Sequence, residues 1–290
     1  MMRVMVVTGM SGAGKSQALK RLEDMGYFCV DNLPCEMLGG FALLCKRASP
    51  PVEQVAVVID SRESIFGNDV VAALDKLAAL EVSYRIIFLE CRDEVLERRY
   101  NETRRPHPLG GDIRKAIQAE RELLSTLRDR ADHIIDTSRL RPLELRQALE
   151  QALSQKDTGF ALEIVSFGYK RGVPFEADVV LDMRFSPNPF YEPELRALSG
   201  RDAAVQAFVL ADENVTALLD QVEHTLERLI PRFIEQEKRR LMVAFGCTGG
   251  RHRSVCCAEA LYQRMKDRYQ VSLAHRDIAT EAASIRERGE

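Results

Sequence analysis

Apolar residues in this chain come in two styles: short unbroken runs, and longer stretches in which they recur every three or four positions. In the first half the runs are "RVMVVTG" (3–9), "FCVDNLP" (28–34), "QVAVVID" (54–60), "YRIIFLEC" (84–91) and "DHIIDTS" (132–138), and each predicts a strand. Between them, "KSQALKRLEDMGYF" (15–28) carries Ala18, Leu19, Leu22 and Met25 at helical spacing. A helix begins near Pro34, "SIFGNDVVAALDKLAAL" reads as helical, and "PLELRQALEQALSQ" closes the series. Strands of continuous Val and Ile have no face to offer water, so they belong to a parallel sheet with helices on both faces. In such sheets a ligand binds at the loops leaving the strands' C-terminal ends.

A polar break, "SQKDTG" (154–159), follows. It divides the 290 residues into an expected N-terminal domain, 1–153, and a smaller C-terminal α/β domain, 160–290. In the second domain "FALEIVSFGYKRG", "ADVVLDMRFSPNPFY" and "RLMVAFGCTGG" are strand-like. Residues 214–239 and 254–269 read as helices, with Pro231 expected to divide the first. The segment 182–196 places Pro187 and Pro189 around Asn188, too irregular for a core strand, and predicts a rigid loop beside the last glycine turn.

Composition adds mainly exclusions. A hydrophobic fraction of 46% with 29% charged residues of mixed sign describes a folded globular chain, and a formal net charge of −3 supplies no global attraction for nucleic acid. No apolar run approaches the ~20 residues of a membrane span, and the start lacks a signal-peptide pattern, so a cytoplasmic protein without membrane contact is expected. The cysteines at 29, 35, 45, 91, 247, 256 and 257 show no CxxC pair and no metal-ligand spacing, which predicts reduced, mostly buried thiols.

Two glycine loops carry the candidate chemistry. The first, "GMSGAGKS", fits G-x-x-x-x-G-K-[ST] at Gly9, Gly14, Lys15 and Ser16 between a strand and a helix. This is a P-loop, and it makes the first domain's sheet P-loop kinase-like. The backbone of Gly9, Met10, Ser11, Gly12, Ala13 and Gly14 would wrap a nucleotide phosphate, Lys15 would reach the β and γ phosphates, and Ser16 would ligate Mg²⁺. Asp60 ends its strand where a second Mg²⁺ carboxylate would stand, so Lys15 and Asp60 are the candidate catalytic pair; a capping role for Asp60 is the alternative. Asp31 is a weaker candidate of the same kind. The cationic stretch 90–117, with Arg98, Arg99, Arg104, Arg105 and His107, could form the arginine-bearing lid of a small-molecule kinase.

The second loop, "GCTGGRHRS" (246–254), again joins a buried strand to a helix. Cys247, Thr248, Gly249, Gly250, Arg251, His252, Arg253 and Ser254 combine open backbone with clustered cations at a helix N-terminus, an anion site. The same residues carry the C-x-x-x-x-x-R spacing of cysteine phosphatases, whose chemistry also needs a general acid that no pattern in the sequence identifies, Asp182 being one candidate; the alternative is that Cys247 is a small strand-end residue packed against the helix.

The ordered set "GMSGAGKS", "LEDMGYFCVDNLP", "IDSRE", "RRYNETRRPHPL", "RADHIIDTS", "SFGYKRGVP", "ADVVLDMRFSPNPFY" and "GCTGGRHRSV" resembles the RapZ family of bacterial P-loop proteins over essentially the whole chain. The resemblance implies binding and slow hydrolysis of ATP and GTP, with residues 9–16 assigned to ATP and Asp60, Ser61, Arg62 and Glu63 to GTP. It further implies, from enterobacterial members, an adaptor that presents a small RNA to an RNase and senses glucosamine-6-phosphate through the C-terminal domain. Homo-oligomeric assembly is left open. The enterobacterial proteins end in a Lys/Arg-rich tail. Here residues 268–290 hold four Arg (268, 276, 286, 288) against four acids (277, 281, 287, 290), a balance that contributes little to RNA affinity.

Overall fold

The computed structural model describes residues 2–60, 70–103, 105–154, 160–279 and 281. Its contacts separate two compact units, Met1–Asp157 and Thr158–Glu290.

The first unit runs β1 (Arg3–Gly9), α1 (Lys15–Asp24), β2 (Phe28–Val30), α2 (Leu38–Arg47), β3 (Gln54–Val58), α3 (Val70–Ala79), β4 (Ser83–Glu90), α4 (Asp93–Thr103), α5 (Ile113–Asp129), β5 (His133–Asp136) and α6 (Pro142–Ser154). Its five strands lie in the order β2-β3-β1-β4-β5, all parallel. In β1 every residue from Val4 to Gly9 is buried, so both faces of the sheet are covered there, as the unbroken apolar run requires. The chain leaves β1 toward β2 on one side and leaves β4 toward β5 on the other. This divergence opens a crevice at their C-terminal ends. Helix α1 stops earlier than its apolar spacing suggests, because Gly26 adopts φ +88°, a left-handed conformation that ends helices.

The second unit contains β6 (Ala161–Gly168), β7 (Val179–Asp182), α7 (Ala203–Leu210), α8 (Glu213–Glu235), β8 (Arg240–Cys247), α9 (Arg253–Met265) and β9 (Gln270–His275). These strands form a parallel sheet in the order β7-β8-β6-β9. Central β8 is buried at every position. Contrary to expectation, Pro231 does not divide α8, which continues through it to Glu235. A proline inside a helix costs about 3 kcal/mol. The continuous stripe Val215, Leu219, Leu226 and Ile230, all buried in the core, offsets that cost.

Strand β9 and helix α7 had no clear signature: β9 is an edge strand with no fully buried position, and α7 is apolar nearly all round. The described cysteines are free thiols, six buried and Cys29 half-buried. No described helix is long and apolar enough to cross a membrane.

Candidate functional site

The first glycine loop follows β1. Gly9, Gly12 and Gly14 all take positive φ (+127°, +86° and +101°), and a Cβ on Gly9 would stand 2.2 Å from the Leu89 carbonyl oxygen of β4. Only glycine allows that approach. Three loop amides are used internally: Met10 donates to the Leu89 carbonyl (3.0 Å), Ala13 to the Met10 carbonyl (2.9 Å) and Ser11 to Glu120 Oε2 (3.0 Å). The amides of Gly12, Gly14 and Ser16 have no acceptor among the described residues. Together with the positive end of α1 they are donors for an anion.

Lys15 Nζ donates to the Gly9 carbonyl at 2.7 Å and lies 3.9 Å from Asp60 Oδ2, both side chains being about nine-tenths buried. An ammonium so enclosed needs these oxygens, since isolated burial of a charge is costly. Ser16 is exposed on the first turn of α1, and Asp31 is exposed after β2. The fold therefore brings Lys15 and Asp60 together at the glycine loop. Ser61, Arg62 and Glu63 lie outside the described residues.

The loop rests on a buried polar network. Glu120 accepts from the Ser11 amide and, at 2.6 Å, from the Ser11 hydroxyl. His107 Nδ1 accepts from the Leu109 amide, which leaves the proton on Nε2, 3.3 Å from Glu120 Oε2. Both side chains are fully buried. Helix α5 is oriented for this by Arg121 and Arg128, which reach Glu90 at the end of β4 (2.7 and 3.2 Å). Glu120 was missed by sequence reasoning. Its faint signal is an acid on the apolar stripe Ala116, Ile117, Glu120, Leu124, Leu127.

The cationic stretch divides differently from the lid expectation. Arg99 donates to the Gly12 carbonyl (2.9 Å) and the Thr137 carbonyl (2.8 Å), while Thr137 Oγ1 donates to the Ala13 carbonyl (2.8 Å). Arg98 points outward beside Glu102 with 67% of its side chain exposed, Arg105 is exposed, and Arg104 lies outside the described residues. Arg99 and His107 thus brace the loop, which counts against their serving as lid cations.

The second loop follows β8. Gly250 has φ +80°, and a Cβ there would stand 2.6 Å from the Gly168 amide of β6, whose end lies directly beside Cys247. Cys247 Sγ accepts from the Gly250 amide (3.2 Å) and lies 3.1 Å from Ser254 Oγ. The amides of Thr248, Gly249 and Arg251 have no acceptor among the described residues. The cations, however, are tied to the 182–198 segment. Arg253 donates to the Arg184 and Ser186 carbonyls (3.1 and 2.9 Å), Arg251 to the Leu198 carbonyl (2.8 Å) and to that of Ala197, and His252 Nε2 lies 3.2 Å from the Arg196 carbonyl.

Burial lowers the pKa of both His252 and Arg253. Arg253 Nε is buried with no partner among the described residues. Asp182 is chelated by Arg184, whose hydrogen bonds hold its carboxyl below the usual range. It stays ionised and is unsuited to act as a general acid.

A cavity of about 310 Å³ opens at this loop, lined by Cys247, Thr248, Gly249 and Arg253, with Lys170, Glu281 and the aromatics Phe190 and Tyr191. Tyr191 stands at its rim, 75% exposed. Lys170 and Glu281 had not been singled out from the sequence. Lys170 follows β6, and only the strand order, which sets β6 beside β8, brings it here.

Residues 2–157 match the family of RapZ-like N-terminal domains, and residues 160–279 the RapZ C-terminal domain. The chain is 44% identical over 283 residues to a protein of Clostridium botulinum (strain Eklund 17B) named a nucleotide-binding protein, covering 96% of each. It is 45% identical over 283 residues to one of the same name from Clostridium perfringens (strain SM101), again covering 96% of each. Among solved structures, a sugar kinase from Janibacter shows a TM-score of 0.36 at 19% identity, covering 53% of this chain and 95% of that one. A shikimate kinase from Bacteroides thetaiotaomicron shows 0.35 at 17%, covering 53% and 99%.

Proposed function

The chain belongs to the RapZ family, and on that premise we propose that it is a cytoplasmic, nucleotide-binding regulatory protein. It holds ATP with Mg²⁺ at residues 9–16 and hydrolyses ATP and GTP slowly. At the second loop it binds a phosphorylated small molecule of the amino-sugar phosphate class. One observation carries the reading: the amides of Gly12, Gly14 and Ser16, without an acceptor among the described residues, belong to the loop that Lys15 also serves. Amides and ammonium supply a positive cradle matched to the β and γ phosphates.

Mg²⁺ needs one or two protein oxygens and otherwise keeps water and phosphate ligands. The Ser16 hydroxyl, exposed at the start of α1, and the Asp60 carboxylate beside Lys15 fit that requirement. When bound, the metal would neutralise phosphate charge. The chain's own part is to fix the phosphates, with Lys15 moving its ammonium from the Gly9 carbonyl toward them and the Asp60 carboxylate beside it available to the metal. A slow rate fits a loop braced by Arg99 and His107 rather than covered by them.

The second cavity is near the small end of ligand pockets, which suits a phosphorylated sugar rather than a whole nucleotide. RNA is not assigned to it, because the loop's cations donate to backbone carbonyls and the segment 268–290 is charge-balanced. Phosphate release from ATP and GTP, followed with and without Mg²⁺, tests the reading. Metal-dependent turnover that falls at least about tenfold in Asp60→Asn is expected, and turnover indifferent to both the metal and Asp60 would overturn it.

A further inference from the structure

The carboxylate of Glu281 occupies an unusual place for an acid. It lines the phosphate cavity, is 9% exposed, and lies so close to the loop backbone that a Cβ on Gly249 would come within 2.5 Å of its Oε1. It lies 3.4 Å from Lys170 Nζ and accepts from Arg171 Nη1 at 3.0 Å. Of the cations lining the cavity, Arg251, His252 and Arg253 are directed to backbone carbonyls, whereas Lys170 is directed to Glu281. The segment that carries Glu281 follows β9 and is held to the turn after β6. Asp277 Oδ2 accepts from the Gly168 amide (2.8 Å), Arg276 Nη2 donates to the Gly172 carbonyl (2.6 Å), and the Glu281 amide donates to the Asp277 carbonyl (3.0 Å).

We propose that Glu281 is a tethered competitor for the phosphate site of the second loop, so that an incoming phosphate takes over Lys170 and Arg171 and displaces the carboxylate. This rests on the reading of that loop as a phosphate site. Two anions at one glycine cannot both keep the same cations, since like charges at such separations repel strongly in a partly buried setting. Asp277 holds the segment independently of Glu281, so the exchange frees one side chain and the turn it ends. Occupancy of the cavity is thereby transmitted to the segment after β9.

Calorimetric titration of the full chain with inorganic phosphate tests this, in wild type and in Glu281→Gln, which keeps size and removes charge. The variant should bind phosphate about 10-fold more tightly, within the roughly 5- to 150-fold span of coupled sites. Equal or weaker binding by the variant overturns the competition while leaving the phosphate site standing, and weaker binding makes Glu281 a ligand-holding group. Absence of phosphate binding in both chains removes the site and the proposal together. Hydrogen exchange on the wild type supplies a readout independent of the variant's folding. Phosphate should lower protection at the Glu281 amide, and unchanged or raised protection contradicts displacement.

Discussion

The two glycine loops stand in matching positions, each at the C-terminal end of a buried central strand and before a helix, and each leaves backbone amides for an anion. They differ in where the cations go. In the first, Lys15 rests on the Gly9 carbonyl near Asp60, on a long flexible stem able to follow a phosphate. In the second, Arg251, His252 and Arg253 are committed to carbonyls between Arg184 and Leu198, and hold that segment against the loop. The same strand, turn and helix thus yield one loop with a movable charge of its own and one whose own cations are fixed, the exchangeable Lys170 and Arg171 coming from the turn after β6. Under the proposed function, the first would take a ligand whose phosphates and metal are exchanged and the second a ligand that is sensed.

The largest effect that would sharpen this contrast is Lys15→Ala. ATP affinity should fall at least about 100-fold, ~2.7 kcal/mol, while phosphate binding at the second loop stays unchanged. Loss of both in calorimetry would end the two-site reading. Arg253→Ala comes next. Phosphate affinity should fall at least about 30-fold, ~2 kcal/mol, with ATP affinity intact. Because the Arg184 and Ser186 carbonyls lose their donor, the melting temperature should drop too, by the equivalent of about 1–3 kcal/mol. A variant that melts normally would show that Arg253 does not hold the segment.

Glu120→Gln is milder. The Ser11 amide and hydroxyl lose a charged acceptor, and nucleotide affinity should weaken about 5-fold, ~1 kcal/mol. Unaltered nucleotide binding would show that the network beneath the first loop does not shape it.

The smallest effect separates the loops by pH. His252 and His275 are both pushed below the ordinary histidine pKa by burial. The unfolded chain therefore binds more protons than the folded one once pH falls below about 6.5. The stability these residues contribute as neutral groups is complete above that pH and declines below it. Between pH 7.5 and 5.5, exchange protection corrected for intrinsic rates should fall in β6, β8 and α9; protection constant across that window would refute the assignment.

Much of this was legible in the sequence. Unbroken apolar runs marked β1, β3, β4 and β8, because strands buried on both faces tolerate no polar alternation. Both glycine loops were legible for the same local reason, a strand ending in residues that open the backbone. The cations of the second loop were visible as residue types, but their acceptors, carbonyls up to 69 positions away, were not. Lys170 and Glu281 belong to a cavity made by strand order and by a segment returning after β9, so no window of adjacent residues contains them both. Helix α8 ran through Pro231 because its buried stripe reaches Ile230 and the half-buried Phe233 packs on the same core just beyond the proline, a tertiary effect that the local rule omits.

Tyr191 stands exposed at the rim of the second cavity, and the chain contains no tryptophan. Tyr191→Trp would therefore place a single indole fluorophore at the mouth of that cavity. Its emission colour would follow the polarity of whatever fills the space, turning the molecule into an optical gauge of its own occupancy, with the nucleotide end spectroscopically silent.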